Sequence, residues 1–237
     1  MPAHGKKYRE ARQQAPTTAV QPKEAVAIAK KLSYTKFDEA VEFHLATTAD
    51  VRQADQQVRE VASLPHGTGK PVRVFVFAEG EAARQAQEAG ADYIANEELI
   101  AKIETGWSDF DISIATPDQM GKLGRLGRHL GRKGLMPNPR TGTVVQAADM
   151  RRAIEAMKKG RAEIRMDKTA NIHVRIGARG FTEEQLAENL ASVYAAISRA
   201  KPAGVKGQFI KSATVATTMG PGIKVDLAGL DELARTS

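Results

Sequence analysis

The sequence predicts an α/β protein of two domains, in which both ends of the chain build one domain and the middle is inserted into it. Strands and a long amphipathic helix mark the two ends, whereas short apolar strands alternate with helices in the middle. The pattern changes at two glycine-containing stretches, Leu64–Lys70 and Lys158–Arg161. We therefore predict an α+β domain I from residues 1–66 and 161–237, and a three-layer α/β domain II from residues 67–160.

The first end begins with a polar, proline-punctuated segment, Met1–Pro22, which we expect to be a loose basic arm. Pro22 is placed to open a helix over Lys23–Leu32. Alternating apolar residues then predict a strand over Phe37–Leu45, with Phe37 on its apolar face. A polar loop, Ala49–Gln57, leads to a second strand over Val58–Leu64.

The middle predicts a parallel sheet covered by helices on both faces, because each short apolar run is followed by a helical stretch that ends at a glycine or a polar turn. The predicted strands are Val72–Phe77, Tyr93–Ile94 and Ile112–Ala115, and the predicted helices are Glu81–Ala89, Glu97–Glu104, a basic piece after Ala115, and Met150–Lys159.

The second end predicts two strands, Ala162–Met166 and Ile172–Ile176, followed by a helix that runs to Ala200. The residues Thr182-Glu183-Glu184-Gln185 form a capping-box signature at its start. A β-branched strand over Phe209–Thr217 follows it. This block is more similar to the first end than to the middle, which is why we join the two ends in one domain.

Composition restricts the classes of function. The chain has 237 residues, 42% of them hydrophobic, and no cysteine, which excludes disulfides and thiolate metal sites. Neither a signal peptide nor a membrane-spanning run is apparent, so we expect no membrane partner. The net charge of +7 favours a polyanionic partner, and nucleic acid is the default choice.

The stretch Gly207–Val225 combines hydroxyls, a Gly-Pro-Gly turn and two lysines, Lys211 and Lys224. Alternation puts Ser212, Thr214 and Thr218 on one face of its strand. Hydroxyls, bare amides and lysines suit a sugar–phosphate backbone. A hairpin with ordinary solvated threonines fits the same residues, so the chemistry alone leaves both interpretations open.

A second candidate is the cluster Gly121–Thr143, which contains no acidic residue. Many glycines accompany its cations, which favours phosphate contact over a solvated face of mixed charge. The residues expected to meet phosphates are Arg125, Arg128, Arg132, Lys133 and Arg140. Whether Lys122, His129 and Arg132 make the nucleic-acid contact is left open by the sequence.

The remaining residue patterns do not predict a nucleotide-binding loop, a metal site or a catalytic site. The loop His66–Lys70 lacks the strand-before and helix-after context of a phosphate-binding loop, so Gly67 and Gly69 are interpreted as a hinge or a plain turn, and Gly160 as a second hinge. Five scattered histidines have no metal-like spacing: His4, His44, His66, His129 and His173. We predict no metal, no cofactor and no catalytic set.

Several collinear motifs then carry a family resemblance. They are Lys36-Phe37-Asp38-Glu39, Leu64–Lys70, Gly134–Pro139, Lys201-Pro202 with Lys206-Gly207, and Thr217–Gly222. Together they resemble the bacterial large-subunit ribosomal protein L-one family over about Met1 to Val225. The resemblance implies a split β-α-β first domain and a Rossmann-like second domain. The family has a proline at the position of Arg132 and apolar residues at those of Lys122 and His129.

The resemblance also implies a set of RNA-binding residues in domain I: Lys36, Phe37, Glu42, Lys168, Ser212, Thr217, Thr218, Met219 and Gly220. Lysines would meet phosphates as point charges, and Ser212 and Thr218 can both donate to and accept from the RNA 2′-hydroxyl. Phe37 could instead pack in the core. Glu42 would accept a hydrogen bond from a hydroxyl or base amine.

The function implied is that of a non-enzymatic, cytoplasmic protein of the large ribosomal subunit, monomeric when free. Its expected partners are the mobile stalk of the large-subunit ribosomal RNA, exit-site tRNA, and the messenger of its own operon, whose translation it would repress. One alternative is a nucleotide-dependent enzyme that uses the middle domain, against which the absent fingerprint counts. A DNA-binding module is another.

Overall fold

The computed structural model of the chain describes residues 5–236, without the side chains of Arg140 and Thr236. The helices of this part of the chain are α1 (Lys6–Gln14), α2 (Pro22–Lys31), α3 (Glu81–Glu88), α4 (Glu97–Glu104), α5 (Met120–Leu123), α6 (Gly127–Arg132), α7 (Met150–Lys158), α8 (Glu183–Arg199) and α9 (Leu227–Thr236). The strands are β1 (Ala40–Thr47), β2 (Arg59–Ser63), β3 (Val74–Phe77), β4 (Tyr93–Ile94), β5 (Ile112–Ala115), β6 (Arg161–Arg165), β7 (Asn171–Ala178), β8 (Ile210–Thr217) and β9 (Ile223–Val225). The predicted α/β class is confirmed.

The chain divides into two compact units. Unit 1 joins Met1–Gly69 to Arg161–Ser237, and unit 2 is Lys70–Gly160. Each unit has its own hydrophobic core, because buried side chains of unit 1 form one cluster and those of unit 2 form two others. The RNA-binding candidates of domain I all fall in unit 1.

Unit 1 is built on an antiparallel sheet with strand order β7-β1-β8-β9. Helix α8 packs against β7 and α2 packs against β8 and β9. The residues that point toward these helices, such as Phe43 and Val215, are fully buried. Strands β2 and β6 form a separate antiparallel pair. One face of the sheet is therefore core, and the opposite face is left for solvent or a partner.

Helix α8 begins with the predicted capping box. The Thr182 hydroxyl accepts the Gln185 backbone N–H at 3.2 Å, and the Gln185 side chain accepts the Thr182 N–H at 3.0 Å. These two bonds satisfy amides that the helix itself cannot pair. The sequence therefore fixes the start of the helix that supports the sheet.

Unit 2 is a parallel sheet of strand order β4-β3-β5 between two layers of helices. Alternate residues of β3 point to opposite sides, so Val74 and Val76 pack with α3 and α7. Phe75 and Phe77 pack with α4, α5 and α6 on the other side. This alternation explains why β3 is apolar at every position.

Three expectations about the first end are wrong. The arm is not loose throughout, because Lys6–Gln14 forms a helix with Ala11 buried; its polar residues are good helix formers. Residues 54–56 form a short 3-10 helix inside the expected loop. Strand β1 begins at Ala40, so Phe37 precedes it and is exposed rather than on the apolar face.

The strand near the second end also differs from its prediction. The register of β8 against β1 shifts between the pairs Ala46↔Ser212 and Thr47↔Ile210. Lys211 is the extra residue of this bulge, and it is exposed. Beyond it, Ala213, Val215 and Thr217 are all buried. Because of the bulge, Lys211 does not share the inner face with Ala213 and Val215, where simple alternation would place it. The sequence analysis also missed β9 and α9.

Candidate nucleic-acid interface

The uncovered face of the four-stranded sheet, here called the outer face, is polar. Alternation puts on it Ala40, Glu42, His44 and Ala46 of β1, Asn171, His173 and Arg175 of β7, Ser212, Thr214 and Ala216 of β8, and Lys224 of β9. All of these residues are half-buried or exposed, whereas the strand residues between them, such as Phe43, Val174 and Val215, are buried.

Strand register aligns these side chains in rows across the sheet. One row runs from Arg175 through Glu42 to Ala216. The central row joins His173, His44, Thr214 and Lys224. The third row joins Asn171, Ala46 and Ser212. The outer face thus presents donors and acceptors in a strip with few bulky apolar side chains, which suits contact with a hydrated polyanion.

Two loops lie at one end of the outer face, which we call the Phe37 end: residues 33–39 and 218–222. The Tyr34 hydroxyl donates to the Met219 carbonyl at 2.7 Å, and Arg179 donates to the Thr35 carbonyl at 3.1 Å. Phe37 and Met219 are 54% and 50% exposed, and among the described residues they are the two large hydrophobic side chains that are exposed. Such side chains on fixed loops indicate a contact surface.

The Thr218 hydroxyl is engaged with the backbone at this end. It accepts the Ala40 N–H at 3.1 Å, and the Thr218 N–H donates to the Ala40 carbonyl at 3.1 Å. Thr218 thus extends the pairing of β8 with β1 by one residue. Its hydroxyl is therefore a backbone contact at the end of the strand pair. The sequence analysis predicted only an exposed hydroxyl here.

Thr217 and Gly220 support the loop from inside. Thr217 is 3% exposed, and its hydroxyl has no hydrogen-bond partner within residues 5–236. A Cβ added to Gly220 would lie 2.3 Å from that hydroxyl oxygen. The loop at 218–222 can therefore approach Thr217 this closely only with glycine at 220. Because Thr217 is buried, its side chain does not reach the outer face.

The opposite end of the outer face, the Lys168 end, is the turn between β6 and β7. The Asp167 carboxylate accepts the backbone N–H groups of Thr169 and Asn171, both at 2.8 Å. The Asn171 bond is the largest cause that lowers the pKa of Asp167 to about 2. This turn holds the exposed Lys168 just before the start of β7, while Asn171 and Ser212 flank Ala46 across the sheet.

The structure therefore divides the candidates in unit 1 between two ends of one surface. Lys36, Phe37, Thr218 and Met219 lie at the Phe37 end, Lys168 and Ser212 lie at the Lys168 end, and Glu42 lies between them. Eight residues of β1 at ~3.4 Å each separate the ends by roughly 24 Å. That length accommodates several nucleotides.

Sequence reasoning named Thr214 and Lys224 in the middle of this surface but missed His44, His173 and Arg175. The signal was present in β1, where Glu42 and His44 alternate with Val41, Phe43 and Leu45. Only the register shows that His44 lies opposite His173 and Thr214.

The basic cluster lies in unit 2. Buried Leu123, Leu126 and Leu130 fix its inner side. The exposed cations of the cluster are Lys122, Arg125, Arg128, Arg132 and Lys133, and His129 is exposed as well. The side chain of Arg140 lies outside the described residues.

Both lysines of the basic cluster have partners. Lys122 pairs with Glu79 at 2.5 Å, and Lys133 donates to Ser108. Arg125, Arg128 and Arg132 form no ion pair with any described residue, which leaves their guanidinium groups available to phosphate.

The proposed hinge glycines have left-handed backbone. The φ angles of Gly67, Gly69 and Gly160 are 69°, 80° and 99°. The Gly67 carbonyl is held by the Asn189 side chain at 3.0 Å. A Cβ on Gly69 would lie 3.0 Å from the Phe181 ring. A larger residue at Gly69 would therefore be strained by the positive φ angle and crowded by the Phe181 ring.

Unit 2 has a cavity of about 590 Å³ beyond the carboxyl ends of β3 and β4. This is where a doubly wound sheet would bind a nucleotide. Its lining includes three carboxylates, Glu79, Glu97 and Glu104, against two cations, Lys122 and Arg125. The carboxylates would repel a phosphate group, and Glu79 lies in the β3–α3 connection where a phosphate would sit.

Residues 5–236 contain no cluster of three or more His, Asp or Glu side chains that could hold a metal ion. No helix of this range is long and apolar enough to cross a membrane. His4 lies outside the described residues.

Comparison with known proteins identifies the family. Residues 29–221 match the family described as Ribosomal protein L1p/L10e. The chain is 55% identical over 237 residues to the large ribosomal subunit protein uL1 of Thermomicrobium roseum, covering 99% of this chain and 98% of that protein. It is 54% identical to the protein of the same name from Chloroflexus aggregans, covering 98% and 99%. The corresponding protein of Thermosipho melanesiensis is 52% identical, covering 98% and 100%. The resemblance seen in the sequence motifs is confirmed, and the chain belongs to the ribosomal protein L1p/L10e family.

Proposed function

We propose that this chain is a structural, RNA-binding protein of the large ribosomal subunit in the cytoplasm, and that the outer face of unit 1 is its contact with large-subunit ribosomal RNA. The observation that carries the proposal is the polar outer face, which lies between two ends that both hold binding residues implied by the family. The family membership and the curated relatives support the ribosomal assignment.

The chemistry of the outer face suits RNA. Ser212 and Thr214 can donate to and accept from 2′-hydroxyls, while Lys168 and Lys224 can meet phosphates. Met219 and Phe37 would pack on ribose or base faces at the Phe37 end. Recognition would combine shape with sugar and phosphate contacts, because a sheet of small polar side chains follows a backbone better than it reads base edges.

The finer proposals follow the family. The RNA bound would be the mobile stalk near the exit site, where the protein would assist release of deacylated tRNA. A similar fold in the messenger of its own operon would compete for the same outer face, which would couple repression to the supply of ribosomal RNA. The exposed cations of unit 2 would add phosphate contacts.

Two rival functions fit less well. A nucleotide-dependent enzyme would use the unit 2 cavity, whose three carboxylates oppose a phosphate group. A DNA-binding protein of the common classes would place a helix or a two-stranded ribbon in the major groove. The outer face offers a broad sheet of short side chains instead.

The test is a binding titration of the full chain against fragments of large-subunit ribosomal RNA, an unrelated structured RNA, duplex DNA and ATP. We expect one ribosomal fragment to bind tightest, with log affinity falling linearly as log salt rises. Equal affinity for duplex DNA, or tighter binding of ATP than of any RNA, would contradict the proposal. A salt slope near zero would contradict the phosphate contacts.

A further inference from the structure

Two histidines lie against each other at the centre of the outer face. His44 of β1 is directly opposite His173 of β7. Their Nδ1 atoms are 2.8 Å apart, and the ring centroids are 5.0 Å apart with the planes at 64°. Both side chains are partly exposed, so a ligand on the outer face can reach them.

A carboxylate flanks each ring on its far side. His44 Nε2 lies 3.7 Å from the Glu42 carboxylate, and His173 Nε2 lies 3.6 Å from the Asp167 carboxylate. The four groups therefore form a line in the order Glu42, His44, His173, Asp167. Neither the sequence motifs nor the family resemblance assigned a role to the two histidines.

This geometry matches one protonation state of the pair. The Nδ1–Nδ1 hydrogen bond needs a proton on one nitrogen and a lone pair on the other. Each Nε2 is best protonated, because a lone pair there would face a carboxylate. The arrangement is satisfied by three protons on four nitrogens, which gives the pair a single positive charge. A fourth proton would set two N–H groups head to head.

The charged groups around the two histidines make protonation of the pair depend on whether an anion is bound. Burial and the charge of His173 lower the pKa of His44, while Glu42 acts in the opposite direction. The other charged groups around the pair are Arg175 of β7, Lys168 in the turn and Lys224 of β9, while β8 contributes the uncharged Ser212 and Thr214. A neutral pair leaves Glu42 and Asp167 to repel an approaching phosphate, whereas the protonated pair offsets them.

We propose that His44 and His173 together form a phosphate contact for RNA on the outer face, and that RNA binding is linked to uptake of one proton by the pair. A phosphate near the rings favours the charged state, so RNA affinity rises as pH falls through the range in which the pair titrates. For His44 in the free chain, burial and the charge of His173 move the pKa below its ordinary value, and a bound phosphate would move it upward. The inference rests on the proposed binding of ribosomal RNA by the outer face.

The test measures the affinity of the full chain for its tightest ribosomal RNA fragment between pH 5.5 and 8, at constant salt. Linkage of one proton gives a gain in affinity of up to about tenfold per pH unit as pH falls from the pKa of the pair in the complex to its lower pKa in the free chain, and no further gain below that. His44→Gln and His173→Gln keep a hydrogen-bonding amide but cannot titrate, so each should flatten the profile. His66→Gln changes an exposed histidine in the Leu64–Lys70 turn, which belongs neither to the outer face nor to the basic cluster, so it is the matched control and should keep the wild-type slope.

Calorimetry of the wild-type chain in two buffers of different ionisation enthalpy counts the protons directly and needs no variant. We expect uptake approaching one proton per RNA near the titration range. No uptake by the wild-type chain, or equal uptake by wild type and His44→Gln, would overturn the inference. If the inference fails in either of these ways but the chain still binds RNA, the proposed function stands. Failure to bind any ribosomal fragment would contradict the proposed function itself.

Discussion

Met219 has an exposed side chain on a fixed backbone, because its carbonyl accepts the Tyr34 hydroxyl while the side chain is 50% exposed. An apolar side chain held in water contributes little to folding but can pack on a ribose. We predict that Met219→Ala changes the free energy of unfolding by less than about 0.5 kcal/mol. RNA affinity should fall roughly tenfold, equivalent to ~1.4 kcal/mol. Chemical denaturation and RNA titration on the same sample measure both.

The neighbouring Thr218→Ala is the contrasting variant. Its hydroxyl bonds the Ala40 amide, so its loss should cost about 1 kcal/mol of stability in addition to any loss of affinity. If Met219→Ala lowers stability by as much as Thr218→Ala and leaves affinity unchanged, Met219 is a packing residue and not an RNA contact.

For single residues, the sequence predicted which residues belong to the candidate site better than it predicted their burial and hydrogen bonds. The motif around Thr217–Gly220 pointed to the right loop, yet Thr217 is buried and the Thr218 hydroxyl bonds the backbone. Phe37 is exposed because β1 starts three residues later than its alternating pattern indicated. Alternation gives the face of a strand residue only where the strand exists, and pairing with a distant strand decides where it begins.

Among the elements, the β6–β7 turn depends on one carboxylate. Asp167 accepts two backbone N–H groups, which hold its pKa near 2, below the ordinary value of ~3.9. A depressed folded-state pKa contributes stability that is present above the unfolded pKa and is lost as pH falls through the folded one. We predict that stability declines between about pH 4 and pH 2 partly through Asp167.

The experiment compares urea midpoints across that range for the wild-type chain and Asp167→Asn, which should show a shallower decline. Asp50→Asn is the matched control, since Asp50 lies in another exposed turn and accepts the single Arg52 N–H at 3.0 Å. Equal pH dependence in wild type and Asp167→Asn would show that this carboxylate does not stabilise the turn through its charge.

Elements with a strong local signal were predicted closely, and those set by tertiary pairing were not. The capping box placed the start of α8, and the apolar runs placed β4, β5 and α4. The bulge at Lys211 and the short β9 depend on pairing with β1 and β8, which no local pattern encodes. The His44–His173 pair was missed for the same reason.

For the whole molecule, the two units have separate cores, so unit 1 should fold without unit 2. Ser63 and Arg161 are register partners in the β2–β6 pair, which keeps the two crossing points of the chain close together. We predict that a short glycine–serine linker in place of Lys70–Gly160 gives a folded protein that still discriminates its RNA. Affinity should fall modestly and the salt slope should decrease, because the unit 2 cations are gone.

Circular dichroism and RNA titration against cognate and unrelated fragments measure the two properties. A truncated chain that folds but no longer distinguishes the fragments would move specificity to unit 2 and contradict the assignment of the outer face.

The central claim, that the outer face binds RNA, is tested most directly by one added negative charge. Ser212 is an exposed strand serine on the outer face, and Ser63 is an exposed strand serine on β2, outside that sheet. Ser212→Glu and Ser63→Glu change the net charge of the chain equally. At matched salt, we predict that Ser212→Glu weakens binding to the ribosomal RNA fragment by at least about tenfold, or ~1.4 kcal/mol, while Ser63→Glu changes it by less than about threefold. Equal losses in the two variants would mean that only overall charge matters, and would contradict the outer face as the RNA site.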